Sequence, residues 1–196
     1  MAHGSDIAFT DAVKQAQEKY GVRALNEQVI ANRAWGKKIT EELAKFIAQR
    51  DSFYLGTANS EGQPYIQHRG GARGFLKVID PTTLAFADYP GNKQFISAGN
   101  LSENPRAFIF LMDYETRQRI KMWGRARFVE DDNDLLVAVH SAGESNRAVE
   151  FKVETWDVNC PQNIPQRFSE ETVTRVVEKL TQRVAELEAQ LAAVSG

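Results

Sequence analysis

Through the middle of the chain apolar and polar residues alternate over short stretches; toward both ends the apolar residues recur every three or four positions. Near the N-terminus Val13, Ala16 and Tyr20 follow Thr10 at helical spacing, which predicts a helix over residues 10–20 with Thr10 as its cap. Residues 40–49 predict a second helix. Thr40 caps it, Glu41 and Glu42 sit in its positive first turn, and Leu43, Phe46 and Ile47 make its apolar stripe. Period-two segments follow. Residues 52–58 and 64–69 flank the turn Asn59-Ser60-Glu61-Gly62, residues 74–79 and 83–88 flank Asp80-Pro81, and residues 106–113 and 119–129 form a third hairpin. Residues 92–100 and 131–141 read as short helices and 148–158 as a last strand. Hairpin-joined strands with helices around them predict a mainly β, α+β barrel, and the missing βαβα alternation excludes a Rossmann-type sheet.

The tail has a different period. From Ser169 onward Val173, Val177, Leu180, Val184, Leu187, Leu191 and Val194 alternate four and three residues apart. Val177 and Val184 at one seam position and Leu180 and Leu187 at the other suit a two-stranded parallel coiled coil, with Arg183 and Glu188 placed for a g-to-e′ ion pair. An amphipathic helix packed on its own barrel fits the same pattern. The expected division is therefore a barrel domain over 1–168, including the N-terminal helices, and a C-terminal helix over 169–196.

Charge and cysteine usage narrow the function classes. The formal net charge is −2, from 24 basic and 26 acidic residues, so a nucleic-acid partner is not expected and any anion site must be local. No apolar run reaches the length of a membrane span, so no membrane partner is expected. The start of the chain has no basic region followed by an apolar stretch. With a single cysteine, Cys160, these features lead us to expect a cytoplasmic protein.

Four features carry candidate chemistry. In the second strand Tyr65, Gln67 and Arg69 share a face. Gly70, Gly71 and Gly74 let the backbone pass close to a flat ligand, or simply make a sharp connection. Gly91-Asn92-Lys93-Gln94 opens a predicted helix, where free N–H groups and a lysine suit a phosphate; a capped surface helix with a solvated lysine is the plainer reading. On the long strand Arg119, Lys121, Trp123, Arg125 and Arg127 share one face, which reads as a solvated basic face except at Arg119, within reach of a ligand near the strand's start. His3, His68 and His140 have no metal-ligand spacing, and His68 reads as a packed or hydrogen-bonded barrel histidine. Cys160 reads as a small buried group rather than a nucleophile.

The ordered strings FYLGTANSEGQPYIQHRGG, FLKVID, LAFADYPGNKQ, NLSENPRAFIFLMDY and RIKMWGRARFVE resemble the pyridoxamine 5′-phosphate oxidase-like FMN-binding split-barrel family. The resemblance implies FMN at a homodimer interface, with a small molecule as substrate or electron donor. It implies that Arg69 and Lys93 hold the phosphate beside Asn92 and Gln94, that the Gly70–Gly74 backbone passes near the isoalloxazine ring, that Gln67, His68, Gly70 and Gly71 are among the cofactor-binding residues, and that Ala87 and Asp88 end a cofactor-touching strand. Arg119 matches a polar flavin contact, and Trp156 is the candidate for a tryptophan supplied by the partner subunit. The chain departs from the vitamin B6 oxidase after Trp156. No Arg-Leu-His-Asp-Arg type segment follows, so oxidation of pyridoxamine phosphate itself is not expected. The resemblance implies an FMN-dependent oxidoreductase, or else a flavin or haem carrier or sensor without turnover.

Overall fold

The computed structural model of the chain describes residues 4–89, 91–139, 147–158 and 161–195. His3, His140, Asn159 and Cys160 lie outside them. The chain falls into two compact units, 1–112 with 119–160, and 113–118 with 161–196.

In the first unit a short 3-10 turn, Gly4–Ile7, precedes α1 (Asp11–Lys19), α2 (Arg23–Asn32) and α3 (Glu41–Ala48). Thr10 and Thr40 cap α1 and α3 by accepting from the N–H groups of Val13 and Leu43, as their sequences predict. The sequence pattern did not reveal α2. Its first turn has neither a side-chain cap nor an acidic residue, and it buries no side chain. The strands are β1 (Ser52–Ala58), β2 (Pro64–Gly70), β3 (Lys77–Asp80), β4 (Thr83–Ala87), β5 (Arg106–Asp113), β6 (Gln118–Val129) and β7 (Ala148–Val158). They form one seven-stranded sheet in the order β2-β1-β5-β6-β7-β4-β3. Two further helices, α4 (Ile96–Glu103) and α5 (Asn133–Val139), lie between strands.

The sheet curls. Four strands separate β2 from β4 in the sheet order, which in a flat sheet would hold them about 24 Å apart. Yet Arg69 of β2 is ion-paired to Asp88, just beyond β4, at 2.8 Å. Phe53 of β1 likewise meets Phe86 of β4 edge-to-face, with centroids 5.1 Å apart. The first unit is therefore a split β-barrel with helices around it.

Alternation decides what fills the barrel. Phe53, Leu55, Leu84, Phe86, Ile109, Leu111, Met122 and Phe151 point inward and are buried, with Leu43 and Ile47 of α3 in the same cluster. Strand β4 is buried on both faces: its other side, Ala85 and Ala87, packs with Leu135 and Val139 of α5. β5 is apolar on both faces, but only Ala107, Ile109 and Leu111 are buried, while Phe108, Phe110 and Met112 stay half-exposed. On that outer face Trp35 stacks on Trp123 (4.8 Å), which meets Phe108 edge-on (4.9 Å). Lys121 sits over both tryptophan rings and pairs with Asp157 at 3.1 Å. It is therefore not a solvated charge, contrary to the sequence expectation; its long apolar stem lets it cover aromatic surface.

The β3–β4 turn closes on Asp80, whose carboxylate accepts from the Thr82 N–H (2.7 Å), the Thr82 hydroxyl (2.9 Å) and the Thr83 hydroxyl (2.6 Å). These bonds, that from Thr83 first, lower its pKa from the ordinary 3.8 to about 2. A carboxylate whose folded pKa is depressed stabilises the fold above its unfolded pKa and loses that contribution as pH falls through the folded one. The stability advantage of the native chain over Asp80→Asn should therefore be constant above about pH 5 and shrink steadily toward pH 2. Urea melts at successive pH values check this, and a pH-independent difference would exclude it. The side chain is 43% exposed, so the advantage is that of a screened surface group.

In the second unit the β5–β6 turn meets the chain that leads into the last helix, α6 (Glu170–Ser195). Ser169 caps α6 through its hydroxyl, which accepts from the Thr172 N–H at 3.2 Å. Glu115 accepts the Ser169 N–H at 2.7 Å, a bond that lowers the Glu115 pKa. Among the described residues no helix is long and apolar enough to cross a membrane.

Candidate functional site

Where β2 approaches β4 across the split, a cleft of about 200 Å³ opens. Tyr65, Gln67, His68, Arg69 and Gly70 of β2 line one side, Phe86, Ala87 and Asp88 the other. Asn92, Gln94 and Ser97 close one end and Phe128 and Arg147 add to the wall. The strand period explains β2's part: Tyr65, Gln67 and Arg69 are half-buried while Ile66, His68 and Gly70 are exposed.

Two guanidinium groups share one carboxylate at the base. Asp88, 4% exposed, takes Arg69 on one oxygen at 2.8 Å and Arg147 on the other. Its N–H also donates to the Arg147 carbonyl at 2.9 Å. Aromatic faces hold both cations: Arg69 lies 5.6 Å from the Phe86 ring centre, and Arg147 lies 5.2 Å from that of Phe95 and 5.4 Å from that of Phe128. The formal charges of these three side chains sum to one positive. Among the described residues the Arg69 Nε is buried without a hydrogen-bond partner. A buried charged donor lacking an acceptor is costly, so an anion at this place would be stabilised. Gln67 accepts from the buried Ser97 hydroxyl at 2.8 Å, which ties β2 to the first turn of α4.

The loop before α4 differs from the sequence expectation. The helix begins at Ile96, not at residue 92, and Phe95 at its N-cap is left-handed. The Asn92 side chain accepts the Gln94 N–H at 3.2 Å, a local turn that competes with helix. Gly91 (φ 48°) and Lys93 (φ 59°) are left-handed as well. Asn92 and Gln94 line the cleft; Lys93 is exposed on the same loop and does not.

The structure thus brings Gln67, His68, Arg69, Gly70, Ala87, Asp88, Asn92 and Gln94 together. His68 is exposed rather than packed inside, with its ring edge-on to Tyr54 at 5.6 Å. Gly71 follows β2 and its N–H donates to the Asp51 carbonyl. A Cβ there would come within 2.8 Å of the Phe75 ring, so the glycine makes room for an aromatic residue that itself lines the cleft.

Arg119 and Trp156 lie elsewhere. Arg119 is the second residue of β6, about 30 Å along the strand from cleft-lining Phe128. Its side chain is half-buried and its Nε also lacks a partner among the described residues. In β7 the register shifts opposite Trp123 and Gly124, leaving Glu154 as an extra residue and Trp156 opposite Met122. Trp156 exchanges backbone hydrogen bonds with Gly36, and its indole N–H donates to the Lys38 carbonyl at 2.8 Å. Only glycine fits at position 36, where a Cβ would fall 2.2 Å from the indole ring. Sequence reasoning missed Arg147. The signal available was a cation directly before an alternating strand, the same arrangement that singled out Arg119.

A family model described as pyridoxamine 5′-phosphate oxidase matches residues 39–160, more than half of the chain. The chain belongs to this family. No curated protein sequence matches it. Among solved structures it resembles HupZ of Group A Streptococcus, with a TM-score of 0.52 and 17% identity over 66% of this chain and 99% of that one. It also resembles a Lactobacillus delbrueckii protein named among the pyridoxamine 5′-phosphate oxidases, with a TM-score of 0.50 and 20% identity over 62% of this chain and 95% of that one. At such identities the likeness is one of fold. Within the pyridoxamine 5′-phosphate oxidase family match lie every cleft residue named above and both outlying candidates, Arg119 and Trp156. Among the described residues no group of histidine, cysteine or acidic side chains is arranged to hold a metal ion.

Proposed function

We propose that the chain binds FMN and serves as an FMN-dependent oxidoreductase acting on a small molecule. The observation that carries this reading is the Arg69–Asp88–Arg147 cluster, two guanidinium groups on one carboxylate at the wall of the cleft, with an Arg69 Nε that is buried and, among the described residues, without a hydrogen-bond partner. Those residues fit a phosphate monoester: the phosphate meets the guanidinium donors, while Asn92 and Gln94 add polar groups. Gln67 and the Gly70–Gly71 backbone would lie along the flavin ring. FMN, when bound, supplies hydride or electron transfer, so this chain's residues need only hold, orient and shield it. No side chain of the cleft is asked to act as acid or base.

The cleft, at about 200 Å³, is below the range of about 300–1,000 Å³ usual for a whole ligand of this class. In this reading one protomer holds the phosphate end and a second copy completes the site. Arg119 and Trp156, remote from Arg69 in their own chain, reach a flavin only from that copy. The half-exposed Tyr54, Phe108, Phe110 and Met112 give the sheet an apolar outer face suited to such pairing. A cytoplasmic, reducing setting agrees with this chemistry.

The purified protein, supplied with FMN and then desalted, should keep a flavin absorption spectrum that reduced nicotinamide or another donor bleaches. A colourless protein that takes up no FMN would reject the reading. A bound flavin that stays oxidised with every donor would leave binding and remove turnover.

A further inference from the structure

The last helix carries an unused surface. α6 is 26 residues long, about 39 Å, and every residue from Val173 to Val194 is exposed. Its apolar residues are not scattered. Val173 (49% exposed), Val177 (54%), Leu180 (60%), Val184 (52%), Leu187 (47%) and Leu191 (69%) form one stripe with the four-three spacing of a heptad seam. All of its charged residues lie off that stripe; Arg175 and Glu171, for example, pair on the opposite face at 3.0 Å. A helix of this kind gains most of its stability by burying its stripe against a partner.

We infer that α6 pairs with α6 of a second copy of this chain as a parallel two-stranded coiled coil. Two independent features select that occupant. Valine at Val177 and Val184 with leucine at Leu180 and Leu187 is the β-branched a, leucine d pattern of parallel dimers. Charge then fixes direction. In a parallel pair Arg183, at g, faces Glu188, at e of the following heptad, in the second copy. In a fully overlapped antiparallel pair Val184 would face Leu180, and Arg183 would face Arg183, so like charges would meet at the centre of the seam. Within its own helix Arg183 pairs with Glu186 at 2.9 Å, which leaves it on the seam's flank. The stripe carries no basic face that would favour an anionic lipid surface: α6 holds five glutamates against three basic residues among Glu170–Ser195.

Disulfide trapping in the full-length chain tests the pairing. In a Cys160→Ser background, Leu187→Cys should oxidise to a disulfide-linked dimer at least tenfold faster than Gln182→Cys, which lies on the outer face. Adding Arg183→Glu should slow trapping several-fold, and adding Glu188→Arg as well should restore it, with helix content by circular dichroism unchanged throughout. Trapping at Leu187 no faster than at Gln182 would overturn the inference. So would trapping seen only when Val177→Cys and Leu187→Cys chains are mixed, the signature of antiparallel helices. Neither readout depends on flavin, so a failure of the cofactor reading would leave this result intact.

Discussion

Phe151→Ala should destabilise the fold by about 3–5 kcal/mol, read as a lowered urea midpoint with little change in slope. Phe151 is fully buried in the first half of β7, on the inner face of the barrel. Its ring occupies the space that a side chain at residue 124 would need: a Cβ on Gly124 would come within 2.8 Å of the Phe151 ring and 2.1 Å of the Lys152 carbonyl oxygen. The neighbouring backbone of β6 and β7 is hydrogen-bonded on both sides, so it cannot collapse far into the void, and the upper part of the range is expected. A loss below about 1 kcal/mol would mean that the barrel interior is not packed as described.

Arg69→Ala should weaken FMN binding by about 1.5–3 kcal/mol, the scale of a hydrogen bond to a charged group, measured by flavin fluorescence titration. Arg147→Ala should act in the same direction, because both guanidinium groups share Asp88 and removing either takes away one of the two cations at the cleft. Lys93→Ala should cost less, below about 1 kcal/mol, since Lys93 is exposed and off the cleft wall. Equal affinity in the Arg69 and Arg147 variants and the native chain would remove the phosphate from this cleft. Equal, large losses at Lys93 and Arg69 would instead show that the loop closes over the ligand.

Much of the architecture was legible because the barrel obeys local rules. Thr10 and Thr40 cap their helices, Asp80-Pro81 turns its hairpin, and the alternation in β1, β5 and β6 separates inner from outer residues. Long-range geometry was not legible. Residues 74–76 look like strand by composition, but the Phe75 N–H closes a turn onto Ala72 and Gly74 is left-handed, so β3 starts at Lys77. The Glu154 bulge is invisible in an alternating sequence, yet it decides where Trp156 sits. At the site, Arg69 and Asp88 were each identifiable from strand ends, but only the curl of the sheet makes them a pair. Arg147 joins them because β4 and β7 are neighbours, a pairing between segments about 60 residues apart that no local pattern encodes.

The most direct test of a flavin-phosphate site compares two ligands that differ only in the phosphate. Titrated into the same protein, FMN should bind at least about tenfold more tightly than riboflavin, the equivalent of about 1.4 kcal/mol from the Arg69–Arg147 cluster. Equal affinities for the two, or no binding of either, would contradict the assignment.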